Sequence, residues 1–303
     1  MGISMRYFRW FSRFSIALLL LQTQLVWAEA QRVVSLAPNW SHTVAEVGAI
    51  ERLVGVTRYA RFPAAIPAKV EAGELAVVGG FTDIDVDTVV GLKPDLVLTA
   101  TGLQRQLAQQ LREQGLTVIH MDESSLDEIY RKIAKLGEAL ALAENAEALN
   151  ESIQSELALI AQQHTNTIRP KVYYELNYYY KCVPGSDSYI TELMELIGAE
   201  PILADGKGIA PMVTWPQVVA ANPDVILIPT WPDAQPPVFE GPNAGNGTTT
   251  IDEVASRDDA NQVSAVQADA IRFIDSARTK QAGPSIPEAA RLLAQAIYGN
   301  TIL

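Results

Sequence analysis

Three histidines, one cysteine and a run of tyrosines are the side chains in this sequence with the most chemistry to offer. His42 opens a predicted helix, His120 ends a predicted strand, and His164 ends a long predicted helix. His42, His120 and Asp122 could bind zinc if a parallel sheet brought their strand ends to one edge. No two histidines stand four apart on a helix, so the helical zinc pair is missing. Cys182 is the single cysteine, which excludes an intramolecular disulfide and any thiolate cluster. It has no histidine nearby in sequence and reads as a buried or cleft thiol. There is no Gly-x-Ser-x-Gly elbow and no Walker loop. Val78-Gly79-Gly80-Phe81 lacks the strand-to-helix setting of a dinucleotide fingerprint. Enzyme chemistry has little support, and no residue is assigned as catalytic or as a metal ligand.

The aromatic residues point to binding instead. Tyr173 and Tyr174 alternate along a predicted strand. Tyr178, Tyr179 and Tyr180 follow it and precede Pro184-Gly185, in a loop leaving the strand's carboxyl end. Open α/β sheets bind ligands at that edge. With Lys181, the three tyrosines form either a stacking wall for a large flat ligand or a self-packed loop. Tyr59, Phe62, Phe81 and Trp215 also follow strands or precede helices. Together they predict a cleft lined by aromatic side chains from two lobes.

The elements that must position these residues alternate along the chain. Arg32–Leu36, Leu53–Thr57, Leu96–Thr99 and Thr117–His120 read as strands. Asn39–Val47, Asp85–Leu92 and Leu103–Gln114 read as helices between them. Strands separated by helices imply a mostly parallel sheet covered on both faces. From Ala143 to Gln163, apolar residues at 146, 149, 153, 157 and 160 recur at three- and four-residue steps. With the helix from Ser125 to Ala141, they predict one long helix over 125–163 linking two lobes. Strands at Lys171–Glu175, Val225–Pro229 and Arg272–Asp275, with helices at Ser188–Ile197 and Pro287–Tyr298, build the second lobe. Pro229 to Asn246 reads as an irregular loop.

Two segments echo each other across the lobes. Val89 to Leu98 and Val218 to Leu227 each run from a helix end through Pro-Asp into an apolar strand. Glu46-Val47-Gly48-Ala49 and Leu196-Ile197-Gly198-Ala199 are a second pair, each a helix end with a glycine cap. They suggest an internal duplication.

The chain has 303 residues, 48% hydrophobic and 19% charged, enough apolar surface for a sizeable core. The net charge of −12 argues against nucleic acid as a partner. Arg6, Arg9 and Arg13 precede an apolar run to Trp27, and small-residue cleavage patterns follow at Ala28 and Ala30. That is the layout of a secretory signal peptide over residues 1–30, with no cysteine nearby to lipidate. The apolar run is shorter than the ~20 residues a membrane span needs.

Several motifs are similar to the periplasmic binding proteins of vitamin B12 and iron–siderophore importers. Arg32 to Asn39 resembles that family's opening strand and loop. Leu53 to Tyr59 with Phe62-Pro63, Val78 to Phe81, Leu92 to Leu98, Glu192 to Ala199 and Thr214 to Val218 continue the resemblance in order. It extends over nearly all of Arg32 to Ile302. The implied fold is class III: two α/β lobes with mostly parallel sheets joined by one long helix. The expected division is 31–142, a linking helix at 143–169, and 170–303. The resemblance implies a periplasmic, monomeric protein that delivers its ligand to an inner-membrane ABC permease and its ATPase. It implies no resident cofactor. The cobalamin-binding branch is closest, which places Pro38, Asn39, Tyr59, Phe81, Tyr178, Tyr179, Tyr180 and Trp215 at the ligand. Glu71 and Glu195 match the acidic residues that dock on the permease, with Glu74 close to the first. The sequence departs from that branch at Ala100 and near Ile209-Ala210-Pro211, where aromatic residues are expected. A ferric siderophore or haem is the alternative ligand, with Arg58, Arg61, Lys181 and Arg278 available for an anionic chelate. A zinc or manganese binder, a metal-dependent enzyme on the same scaffold, and a lobe feeding a membrane sensor are further alternatives.

Overall fold

Side chains on a strand alternate between its two faces, and the buried strands of this protein divide their residues accordingly. Val33, Leu96 and Leu98 face one core, whereas Val34, Leu36 and Val97 face another. In the second lobe Val172, Tyr174 and Leu227 face the first of these cores, and Tyr173, Ile226 and Ile228 face a third. One apolar core therefore runs from the inner face of one sheet to the inner face of the other. Each sheet has its own core on its outer face.

A computed structural model describes residues 29–164, 168–177, 181–230 and 249–299. The first lobe comprises β1 (Val33–Ser35), α1 (Pro38–Glu46), β2 (Leu53–Val56), α2 (Ala65–Glu71), β3 (Ala76–Val77), α3 (Val86–Gly91), β4 (Leu96–Ala100), α4 (Arg105–Glu113), β5 (Val118–Met121) and α5 (Leu126–Ala139). Helix α6 (Ala143–Gln163) follows. The second lobe comprises β6 (Lys171–Tyr174), α7 (Tyr189–Leu196), β7 (Glu200–Pro201), α8 (Trp215–Ala221), β8 (Val225–Thr230), α9 (Ile251–Ala255), α10 (Ser264–Gln267), β9 (Ile271–Asp275), α11 (Ser276–Thr279) and α12 (Ile286–Tyr298). Both sheets are parallel, in the orders β3-β2-β1-β4-β5 and β7-β6-β8-β9. The α/β class and the parallel sheets agree with the sequence reading.

The sheet orders superimpose if β6, β7, β8 and β9 stand for β1, β2, β4 and β5, and the echoing motifs fall at equivalent places. Asp95 at the start of β4 accepts hydrogen bonds from the backbone of Gln31 and Arg32, at 2.8 and 2.9 Å. Asp224 at the start of β8 accepts one from Lys171, at 2.8 Å. Each Pro-Asp thus stops a helix and ties the neighbouring strand in register. Gly48 and Gly198 take φ of 90° and 82° after α1 and α7, the left-handed turn that ends each helix.

The long helix differs from its expectation. The continuous helix over 125–163 is broken between Leu140 and Leu142, where Ala141 has φ of 53° and the Leu142 N–H donates to the Gly137 carbonyl. A β-carbon on Gly137 would lie 2.4 Å from the Ala146 Cβ, so α5 turns back closely against α6. The apolar stripes of the two segments bury each other in this hairpin, which a straight helix would leave exposed. Helix α6 alone spans the lobes, with Ala146, Ile153, Leu157 and Ile160 in the shared core.

Among the described residues no helix is long and apolar enough to cross a membrane. The expected signal segment lies outside the described residues except for Glu29 and Ala30. Ala30 is buried, its N–H donates to the Ala139 carbonyl, and Glu29 pairs with Arg52 at 2.6 Å.

Candidate ligand-binding cleft

The carboxyl ends of β1, β3 and β4 are gathered by one buried side chain. Gln104, in the 3-10 turn after β4, donates to the carbonyls of Leu36 and Phe81 at 2.7 and 2.8 Å. Its own carbonyl oxygen accepts from the Ala100 N–H at 2.8 Å. An amide has both donors and acceptor, so one neutral residue joins three loops without burying a charge. Gly79 (φ 127°) turns the chain after β3. A β-carbon on Gly80 would strike Arg58 and Asp83 at 2.2 Å, so only glycine lets that ion pair lie across the loop. The bidentate Arg58–Asp83 pair, at 2.7 and 3.2 Å, leaves Tyr59 45% exposed beside it.

The second lobe holds its loops with charge. Glu175, immediately after β6, is wholly buried. Its carboxylate accepts from the Arg257 guanidinium at 2.7 and 3.1 Å, Tyr173 at 2.9 Å, Thr249 at 2.5 Å and Lys181 at 3.3 Å. Burial pushes this carboxyl up, but the bonds and charge of Arg257, with Thr249 and Lys181, outweigh it and hold the group below its ordinary value. Arg257 also binds Glu253 at 2.5 and 2.9 Å and lies 4.8 Å over the Trp215 ring. Trp215, the first residue of α8, packs edge-on against Tyr173, and its indole N–H donates to the Asp258 carbonyl at 2.7 Å. Lys181, Trp215, Val219, Glu253, Arg257 and Asp258 line much of a cavity of about 650 Å³.

The lobes meet below these edges. Asn39 and Lys132 both donate to the Ala282 carbonyl, at 3.2 and 3.0 Å. Lys132 is fully buried, paired with Glu123 at 2.7 Å and 4.2 Å over the Trp40 ring. His42 Nδ1 lies 3.1 Å from Ser285 Oγ, and the Leu126 N–H donates to Glu192 at 3.1 Å.

The residues expected at the ligand separate into three groups. Tyr59, Phe81 and Trp215 stand at carboxyl edges, Tyr59 exposed and the other two partly buried. Pro38 begins α1 and is partly buried, while Asn39 is buried and bonded to Ala282. Tyr178, Tyr179 and Tyr180 lie outside the described residues, as does most of the expected loop after Pro229. His42 and His120 have separate partners: His42 contacts Ser285 and Glu46, and His120 contacts Thr99 at 3.0 Å and Asp122 at 3.5 Å. Among the described residues no three His, Cys, Asp or Glu side chains gather as a metal site. Cys182 is buried, and burial pushes its thiol up. Glu71 and Glu195 are exposed and form no ion pair among the described residues, whereas Glu74 is tied to Lys69 at 3.0 Å.

Several edge residues were missed. Gln104, Glu175 and Arg257 have no spacing that marks them in the sequence. Leu103 and Met212 are 74% and 73% exposed, near the two places where expected aromatics are absent. Ala100 itself is buried in the strand. Their exposure was not legible from sequence, because an apolar side chain carries no local sign of whether the fold covers it.

The family model for periplasmic binding proteins matches residues 33–277. An uncharacterized ABC transporter substrate-binding lipoprotein of Bacillus subtilis is 27% identical over 284 residues, covering 90% of this chain and 82% of the relative. A cobalamin-binding protein of Halobacterium salinarum is 30% identical over 206 residues, covering 66% of this chain and 54% of the relative. Among solved structures, the periplasmic vitamin B12 binding protein of Vibrio cholerae aligns with a TM-score of 0.68 at 22% identity, covering 89% of this chain and 97% of that one. The order of the two sheets, the helix between them and the extent of the matched segment lead to one conclusion: the chain belongs to the periplasmic binding protein family.

Proposed function

We propose that this protein captures a corrinoid between its lobes and delivers it to an ABC permease in the inner membrane. One observation carries the reading. The strand ends expose apolar surface at Tyr59, Leu103 and Met212, while four cations at these edges are already paired with acids. Arg58 pairs with Asp83, Lys181 and Arg257 with Glu175 and Glu253, and Arg278 with Asp275 and Glu288. A polyanionic siderophore would call for unpaired cations in the cleft. A broad ligand with apolar faces and a mostly neutral rim fits better. The cobalamin-binding relative supports the same choice. The function is binding without chemistry.

The residues proposed at the ligand are Tyr59, Phe81 and Trp215, with Leu103 and Met212 added. Tyr178, Tyr179 and Tyr180 stay in the proposal from sequence alone. Glu71 and Glu195 are proposed to dock on the permease. Reversing the charge at Glu195 is expected to leave ligand affinity unchanged and to slow uptake, measured with radiolabelled ligand in cells. Weaker binding with normal uptake would remove Glu195 from docking. We also propose that the leader is cut after Ala28, because Ala30 is bonded into the first lobe. Glu29 as the first residue of the exported protein is the expected sequencing result.

Calorimetric titration of residues 29–303 with cyanocobalamin tests the ligand. Saturable one-to-one binding supports the corrinoid reading. Absence of binding across several temperatures, with haemin bound by the same preparation, would overturn it in favour of haem.

A further inference from the structure

Most cations at the carboxyl edges are tied to acids, but Lys280 is placed differently. It follows α11, where the chain leaves β9 and turns towards the lobe junction. Two residues later the Ala282 carbonyl receives Asn39 and Lys132 from the first lobe. On its other side the Lys280 ammonium reaches back to β6 and donates to the Leu176 carbonyl at 2.8 Å. Lys280 therefore stands between the carboxyl end of β6 and the contact that joins the lobes. It forms no ion pair among the described residues.

Lys280 is exposed as a residue, while protein crowds its ammonium. Loss of hydration lowers it to about 8. The titratable group that bears on it is the Cys182 thiol, itself held neutral by burial, with Glu175 beyond. Asp275 and Arg278 on its own segment are engaged with each other at 3.3 Å. A single carbonyl uses one of the three donors of a lysine ammonium. Two donors and one uncompensated charge remain for a ligand.

We propose that Lys280 recognises an acidic group on the rim of the cleft ligand, a phosphodiester or a carboxylate. The inference rests on the binding cleft proposed above and adds to it the residue that selects the ligand's charge. A single cation suits a ligand with one such group at that point, as on the nucleotide loop of a complete corrinoid.

The test compares wild type, Lys280→Gln and Lys280→Arg in titrations with cyanocobalamin, dicyanocobinamide and haemin. Cobinamide lacks the phosphodiester, and haemin carries carboxylates. Glutamine retains a donor for the Leu176 carbonyl, and circular dichroism verifies folding. The expected result is a loss of about tenfold or more for cyanocobalamin in Lys280→Gln, with cobinamide unaffected. Wild-type affinity for cyanocobalamin should fall as pH rises through 8, because the charged form is the one that binds. In Lys280→Arg that dependence should vanish. Equal losses for both corrinoids, or no loss for either, overturn the assignment while leaving the corrinoid reading intact. If only haemin binds and Lys280→Gln weakens it, the corrinoid reading fails and Lys280 stands as a carboxylate site. Haemin binding that is indifferent to Lys280→Gln overturns Lys280. If none of the three binds, the Lys280 13Cε resonance is titrated with inorganic phosphate. An upward shift of its pKa supports the assignment, and an unmoved pKa overturns it.

Discussion

The two lobes share a strand order and a Pro-Asp tie, yet they secure their binding edges by opposite means. The first uses the neutral amide of Gln104 and leaves its ion pair, Arg58–Asp83, in solvent. The second buries the Glu175 carboxylate and fastens it with Arg257, Lys181, Tyr173 and Thr249. Amide bonds tolerate the loss of one partner at modest cost. A buried charge does not, because the remaining ion is stranded in a medium that solvates it poorly. Common architecture therefore leaves open how much each edge depends on a single side chain.

The sharpest way to break this comparison is Arg257→Met. It removes the guanidinium that pairs Glu175 twice, leaving Lys181 at 3.3 Å as its cation, and should destabilise the protein by about 3–5 kcal/mol, read by urea denaturation. A loss below that of the Gln104 variant would contradict the contrast. Gln104→Ala should cost about 1–3 kcal/mol, since three backbone groups lose their partner. Ligand affinity should drop with it as the loops of Leu36 and Phe81 loosen.

The aromatic residues divide in the same way. Tyr59→Ala and Trp215→Ala should each weaken corrinoid binding by about tenfold or more, about 1.4 kcal/mol. Only Trp215→Ala should also lower the melting temperature, because its indole packs on Arg257 and bonds to Asp258. Unchanged affinity in both would refute the proposed cleft. The smallest effect belongs to Arg58→Ala, about 0–1 kcal/mol by denaturation, because both partners of its ion pair are largely in water.

The pH response follows from the same contrast. The folded Glu175 lies below its ordinary value, so its contribution is complete above the unfolded value. It is lost as pH falls through the folded one. Acid unfolding of Glu175→Gln should be flatter in that range than wild type.

Much of the fold was legible because it rests on local chemistry. The buried β-branched strands, Pro-Asp at 94–95 and 223–224, and the glycines at 48 and 198 each specify their own conformation through sterics and chain direction. The periodicity of α6 was readable for the same reason. The break at Ala141 was not, because Leu140-Ala141-Leu142 contains no glycine or proline. Only the mutual burial of two apolar stripes demands that turn.

The edges of the cleft show the same limit. Sequence by itself determined the α/β class, the two echoing lobes and the placement of Tyr59, Phe81 and Trp215 after strands or before helices, since these depend on neighbours along the chain. Tertiary structure alone decided that Asn39 joins the lobes, that Arg58 and Lys181 are neutralised, and that Lys280 has no acid partner among the described residues. Charge pairing is fixed by distance in space. Arg257 meets Glu175 across 82 residues, and no pattern along the chain encodes that approach.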